Sequence, residues 1–165
     1  MTDPDKLIVG WREWVALPGL GVPAIRAKID TGARTSALHA INVKRYRKDG
    51  KDWVAFDLEP SRRYTQLVLA CDAAVVDERV VKDSGGHTEH RLVIQTALQL
   101  RQFSKPIELT LTERPNMRFR MLLGRTSLVP DMLVNPSLSY HQGRMRVKTA
   151  YADYLKRPDS EEGSL

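Results

Sequence analysis

With 165 residues, 42 % of them apolar and 28 % charged, the chain has material for one domain with a real core and too little for two. No apolar run approaches the roughly 18 residues of a membrane span, and the polar start, with Asp3 and Asp5, lacks the apolar stretch of a secretory signal. The lone Cys71 excludes an internal disulfide, so a reducing, cytoplasmic setting is expected.

The net charge of +6 gathers in residues 44–48, in Arg62-Arg63-Tyr64 and between Arg114 and Arg125. Such clusters attract acidic partners, but none sits in a helix-turn-helix, zinc-finger or RNP-like frame. A solvated basic face is the plainer reading, and nucleic acid is not among the expected partners.

The predicted elements are strands. Residues 11–17 precede the turn Pro18-Gly19-Leu20-Gly21. Residues 23–30 follow, where Ile25, Ala27 and Ile29 alternate with Arg26 and Lys28 in the period-2 pattern of a half-buried strand. Residues 42–46 and 53–58 flank a spacer containing Asp49-Gly50, a hairpin signal. Residues 67–76 lean to β structure, and Val80-Val81 with residues 91–94 bracket a second hairpin around Asp83-Ser84-Gly85-Gly86-His87. Residues 107–111 alternate, Arg114-Pro115-Asn116 turns, and residues 119–123 form a last core strand. Thr126 or Ser127 is placed to cap a short helical turn limited by Pro130. The expectation is a mostly-β, closed or sandwiched antiparallel domain over residues 1–157, with a polar, disordered tail at 158–165.

The chemistry concentrates in Ala27-Lys28-Ile29-Asp30-Thr31-Gly32-Ala33-Arg34-Thr35-Ser36. An apolar strand delivers an aspartate to its end, and Thr-Gly turns the chain at once. Glycine permits close backbone approach, and the Thr hydroxyl can brace the loop. Asp-Thr-Gly alone is a common turn composition. It acquires meaning from a second apolar strand ending in Leu122-Leu123-Gly124-Arg125.

These paired signatures resemble those of retropepsin-like aspartic peptidases. In that fold the second strand threads beside the Asp-bearing loop in a ψ-shaped structure, and a Gly-rich hairpin, here Gly85-Gly86, forms a mobile flap. The runs 10–15 (GWREWV), 27–40 (AKIDTGARTSALHA) and 121–125 (MLLGR) are similar to a bacterial family labelled "ATP-dependent zinc protease". That family is associated with the ligase that adds glutamates to a ribosomal protein. The label finds little support in the residues: there is no P-loop for ATP. His87-Thr88-Glu89-His90 lacks the His-Glu-x-x-His spacing of a zinc-peptidase helix, and His39 and His141 stand apart. No cofactor and no metal are expected.

The resemblance implies a closed antiparallel barrel of retropepsin type acting as a homodimer, since one Asp-Thr-Gly supplies only half of a catalytic pair. Asp30, Thr31 and Gly32 become the catalytic loop. Ala33, Arg34, Gly85, Gly86 and Arg125 become substrate-binding residues. Ala33 stands where many pepsins carry a hydroxyl, which suggests a working pH nearer neutrality. Arg34 stands where retropepsins commonly have an aspartate. Arg34 and the Arg125 of the later Gly-Arg are then expected to approach one another and form an anion site beside the catalytic pair, suited to an acidic substrate such as a glutamate-extended tail, with the glutamate ligase as a partner. The competing readings are a non-catalytic module that binds acidic tails or regulates the ligase, a basic RNA-associated protein, and a metal hydrolase built on His87 and His90.

Overall fold

A computed structural model describes residues 5–155. The elements run β1 (Leu7–Val9), β2 (Arg12–Leu17), a 3-10 turn (Pro18–Leu20), β3 (Val22–Ile29), β4 (Ala37–His39), β5 (Ile41–Lys48), β6 (Lys51–Leu58), β7 (Leu69–Lys82), β8 (Thr88–Leu100), β9 (Phe103–Thr112), β10 (Met121–Leu123), α1 (Arg125–Leu128), β11 (Met132–Val134), α2 (Val147–Ala150) and α3 (Ala152–Leu155). It is a mostly-β single domain. Residues 158–165, expected to be a disordered tail, lie outside the described residues.

One sheet has the strand order β2-β3-β10-β4-β9-β8-β7-β6-β5, and β2 also meets β8 through the pair Ala16↔Gln99. β1 and β11 form a separate two-stranded sheet. The expectation of purely antiparallel pairing is corrected: β3–β10, β4–β9 and β1–β11 are parallel. Parallel neighbours come from distant parts of the chain, so local alternation carries no signal for them.

Local chemistry explains the hairpins. Asp49 and Gly50 both take positive φ, 51° and 75°, between the paired Lys48 and Lys51. This is the two-residue loop whose twist matches the flanking strands. Gly21, at φ 71°, ends the 3-10 turn and returns the chain antiparallel into β3. In β3, Ile25, Ala27 and Ile29 are buried while Lys28 is exposed, as their alternation requires. The β7–β8 hairpin is longer than its sequence signal. Its inward residues Ile94, Leu98 and Leu100 join Leu17, Leu38, Leu58, Leu69, Leu109 and Met121 in a continuous core.

Two features tie residues 138–151 to this core. Tyr151, between α2 and α3, is buried with its hydroxyl donating to the Ala24 carbonyl. Glu13 on β2 is fully buried, and its carboxylate accepts from the backbone N–H groups of Gly10 (2.7 Å), His141 (3.1 Å) and Gln142 (3.0 Å). A buried carboxylate is costly unless hydrogen-bonded, and here three amides supply the compensation. The Gly-Trp-Arg-Glu-Trp-Val run is thus a structural clamp on the loop at residues 138–142.

Candidate active site

β10 lies between two strands that are consecutive in sequence. It pairs in parallel with β3, Leu123 opposite Ile29, and antiparallel with β4, Leu122 opposite Ala37. Residues 30–36 must therefore arch from one flank of β10 to the other, across its end. Gly124 sits at that crossing, where a Cβ would lie 2.5 Å from the Thr35 carbonyl oxygen and 2.9 Å from that of Ala33. Only glycine permits this approach. The expected ψ-shaped threading is present.

The loop is held from both sides. The Asp30 N–H donates to the Leu123 carbonyl at 2.9 Å, extending the β3–β10 pairing by one residue. Beyond it, the Arg125 N–H donates to the Ala33 carbonyl (2.8 Å), and the N–H and hydroxyl of Thr126 donate to the Arg34 carbonyl (3.2 and 3.0 Å). The Arg125 guanidinium donates to the Thr31 carbonyl at 2.8 Å. Underneath, the buried Ser36 hydroxyl accepts from the Gly124 N–H (3.0 Å) and shares a 2.6 Å hydrogen bond with the Ser127 hydroxyl. The Ser36 carbonyl accepts from both the N–H and the hydroxyl of Thr110, each at 3.0 Å, and Arg91 donates to that hydroxyl. Satisfied buried networks of this kind fix a loop more firmly than packing alone.

The result is a presented carboxylate. Asp30 is half-buried, and its Oδ1 accepts from the Gly32 N–H at 3.0 Å, an Asx turn that sets the carboxylate's direction. A Cβ at position 32 would lie 3.3 Å from the same oxygen, so glycine also leaves room beside it. Among the described residues Asp30 has no ion-pair partner, and Thr31 and Gly32 are exposed.

A cleft of about 650 Å³ separates this loop from the β7 arm of the long hairpin. Gly32, Ala33, Arg34, Thr35 and Thr126 form one wall, and Arg79, Val80, Val81 and Lys82 form the other. Arg79 is fixed by Asp77 (2.7 Å) and by Glu108 (2.8 Å), which also lines the cleft. Arg34 and Lys82 have no ion pair among the described residues.

At the hairpin tip Asp83 organises the turn. Its Oδ1 accepts from the N–H groups of Gly85 and His87, both at 2.9 Å, and its Oδ2 from Arg114 at 3.2 Å. These contacts, the His87 amide foremost, hold its carboxyl below the usual range. Gly86 takes φ 85°.

The structure therefore gathers Asp30, Thr31, Gly32, Ala33, Arg34 and Arg125 into one loop assembly. Gly85 and Gly86 sit at the tip of the opposing hairpin, outside the residues lining the cleft. Sequence reasoning missed Arg79, Lys82 and Glu108 as cleft residues, and Ser36 and Ser127 as its supports. Only the position of Ser36 just after the Asp-Thr-Gly loop hinted at its part.

The histidines do not converge. His39 is buried on β4, its Nδ1 accepting from the Arg114 N–H at 3.0 Å and its Nε2 lying 3.4 Å from Glu59, outside hydrogen-bond geometry. His87 lies in the exposed turn, and His90 pairs with Val80 inside the hairpin. Among the described residues no three His, Cys, Asp or Glu side chains are placed to hold a metal ion.

An Asp-Thr-Gly loop leaving one strand, clamped by a second strand threaded beneath it and faced by a long hairpin, defines a retropepsin-like protein. The chain belongs to the RimB-like family, described as retropepsin-like aspartic endopeptidase RimB, whose profile matches residues 8–145. It is 43 % identical over 150 residues to a probable alpha-L-glutamate ligase of Shewanella pealeana, covering 89 % of this chain and 33 % of that protein. It is 39 % identical over 163 residues to another of that name from Desulfotalea psychrophila, covering 99 % and 35 %. The chain thus spans about a third of the length of these curated relatives, and the ligase name describes the longer proteins. Among solved structures, the Legionella pneumophila protein Lpg0085, of unknown function, superposes with a TM-score of 0.70 at 26 % identity, over 82 % of this chain and 97 % of that one. No helix among the described residues is long and apolar enough to cross a membrane.

Proposed function

We propose that the chain is one half of an aspartic endopeptidase whose catalytic pair is Asp30 from each of two identical protomers. The observation that carries this reading is the half-built site: Asp30 is fixed and presented beside exposed Thr31 and Gly32, with no acidic hydrogen-bond partner among the described residues. A two-fold axis next to the loop brings a second Asp30 opposite the first. In this reading the strands β2-β3-β10-β4-β9-β8, joined end to end by Ala16 and Gln99, close as a retropepsin-type barrel.

Two carboxylates in contact resist double ionisation, so the pair holds one proton. The ionised member takes a proton from a water lying between them, and that water attacks the scissile carbonyl. The protonated member donates to the carbonyl oxygen, and the tetrahedral intermediate collapses with protonation of the leaving amine. Thr31 braces the two loops across the axis, and Gly32 offers its backbone to substrate. Residues 79–82 close over the bound peptide, with Gly85 and Gly86 at the moving tip.

The substrate class follows from charge. Arg34 and Lys82 line the cleft from opposite walls without carboxylate partners among the described residues, and Arg125 supports the loop that carries Arg34. Such a cleft favours acidic residues flanking the cut bond, including a glutamate-extended protein tail. The relatives named as glutamate ligases favour the same substrate, and a ligase of that kind as partner, because the chemistry that appends glutamates needs a counterpart that removes them.

The test is cleavage of a glutamate-extended peptide, followed by mass spectrometry, by wild type and Asp30→Asn, with and without chelator. Loss of cleavage in the variant and indifference to chelator support the aspartic pair. Binding without cleavage by both proteins favours the non-catalytic module.

A further inference from the structure

Two adjoining depressions toward the other end of β3 share Trp14 and Met145 in their linings, and together they are called the groove. The smaller part, about 480 Å³, carries Arg26, Arg63, Arg146 and Lys148. The larger, about 760 Å³, carries Arg101 and Arg144. Gly21 and Val22 line it at the start of β3, whereas Asp30 follows the end of that strand, and groove and cleft share no lining residue.

Like Arg34 and Lys82 at the cleft, the cations here stand without ion pairs among the described residues, but six of them line these two depressions. Elsewhere Arg45 pairs with Asp52, Arg79 with Glu108, Arg91 with Glu89, Lys105 with Asp131 and Arg114 with Asp83. Among the described residues none of the six groove cations forms an ion pair, and Asp153 is the acidic residue in the lining. Three of them lie over rings instead: Arg26 is 5.9 Å from Trp14, Arg63 is 5.6 Å from Tyr64, and Arg144 is 4.8 Å from Tyr140. Neighbouring cations repel one another unless an anion lies between them. A guanidinium lying over a ring keeps its in-plane N–H groups available to such an anion.

We propose that this groove binds a single-stranded nucleic acid, with phosphates on the arginines and Lys148 and bases against Trp14 and Tyr64. A carboxylate-rich peptide would use the cations but leave the ring-bearing walls without a role, whereas a nucleotide strand uses both. The site is independent of the peptidase reading.

The experiment is fluorescence anisotropy of labelled 12-mers, oligo-U RNA and oligo-dT DNA, with the full chain across a salt series. Binding is expected with a log–log salt slope of roughly −2 to −4, about −0.7 for each phosphate neutralised by three to six cations. Arg63→Glu combined with Arg146→Glu should weaken it at least about tenfold, and Tyr64→Ala alone about fivefold or more. Lys44→Glu combined with Lys48→Glu, on the distant edge strand β5, should change it less than about twofold. Preference between the two oligomers assigns the strand as RNA or DNA. No binding at low salt overturns the proposal, as does a groove variant that binds like wild type. Displacement of the oligomer by an oligo-glutamate peptide at equal charge concentration also overturns it, giving the groove to an acidic protein.

Discussion

The Gly124 N–H donates to the Ser36 hydroxyl at 3.0 Å while the Thr35 carbonyl passes directly over the Gly124 α-carbon. These two residues, 88 positions apart, are where the strand carrying Leu-Leu-Gly-Arg holds the loop carrying Asp-Thr-Gly. The crossing holds the far side of the loop whose near side is fixed by the Asp30 N–H to Leu123 and the Gly32 N–H to the Asp30 carboxylate.

Gly124→Ala tests the crossing. A methyl group there meets backbone on both sides, so the loop must lift or β10 must slide, and overpacking of this kind costs roughly 1–3 kcal/mol. The expected result is a lower unfolding midpoint in urea together with loss of Asp30-dependent cleavage larger than the unfolded fraction explains. An unchanged midpoint and activity would mean the loop is not clamped there.

Glu13→Gln tests the second clamp, on β2 beside β3, where Glu13 lies opposite Ala27. The substitution removes the charge and turns an N–H₂ group toward backbone donors. Hydrogen bonds to charged groups contribute roughly 1.5–3 kcal/mol, so a loss of about that size is expected at neutral pH by urea unfolding. Cleavage, measured below the unfolding transition, should be retained.

How much of this was legible beforehand depended on range. The hairpin at residues 41–58 was readable because Asp49-Gly50 specifies its own turn, and β3 because its alternation is local. The β3–β10–β4 pairing was readable only through the resemblance of two motifs. The three-residue strands β1 and β11 are too short for a period and exist by pairing with each other. Beyond the place of Ser36 after the Asp-Thr-Gly loop, Ser36 and Ser127 carry no local signal, since two serines become a buried hydrogen-bonded pair only once α1 follows the crossing. The parallel pairs β4–β9 and β1–β11 escaped for the same reason, and with them the mixed character of the sheet.

Alkaline pH should weaken the fold in a defined window. Burial, ahead of the charges of Asp57 and Asp72, pushes the Cys71 thiol up to about 11 from an ordinary 9.0. Burial likewise raises the Tyr151 hydroxyl above its usual range. Both groups stay protonated in the folded state where the unfolded chain has released its protons, so stability is full below about pH 9 and falls as pH rises toward 11 and beyond. Cys71 alone contributes roughly 2–3 kcal/mol of this fall. Urea unfolding at pH 7, 9, 10 and 11 measures it, and Cys71→Ala should flatten the curve between pH 9 and 11.

Charge reversal in the cleft tests substrate preference. Arg34→Glu combined with Lys82→Glu should raise KM for an acidic peptide by about tenfold or more, consistent with losing one or two close charge contacts, while a neutral peptide of the same length changes little. Equal effects on both peptides would remove the case for acidic substrates.

The shared pair is the central claim, and mixing is its most direct measurement. Asp30→Asn protein is titrated into wild type at constant total concentration, with time for protomers to exchange, and cleavage of the acidic peptide is followed. A dyad built from two protomers predicts that an equal mixture retains about a quarter of wild-type activity, since only wild-type pairs carry two aspartates. Retention of about a half, the result for protomers that act alone, would contradict it, as would activity in the pure variant.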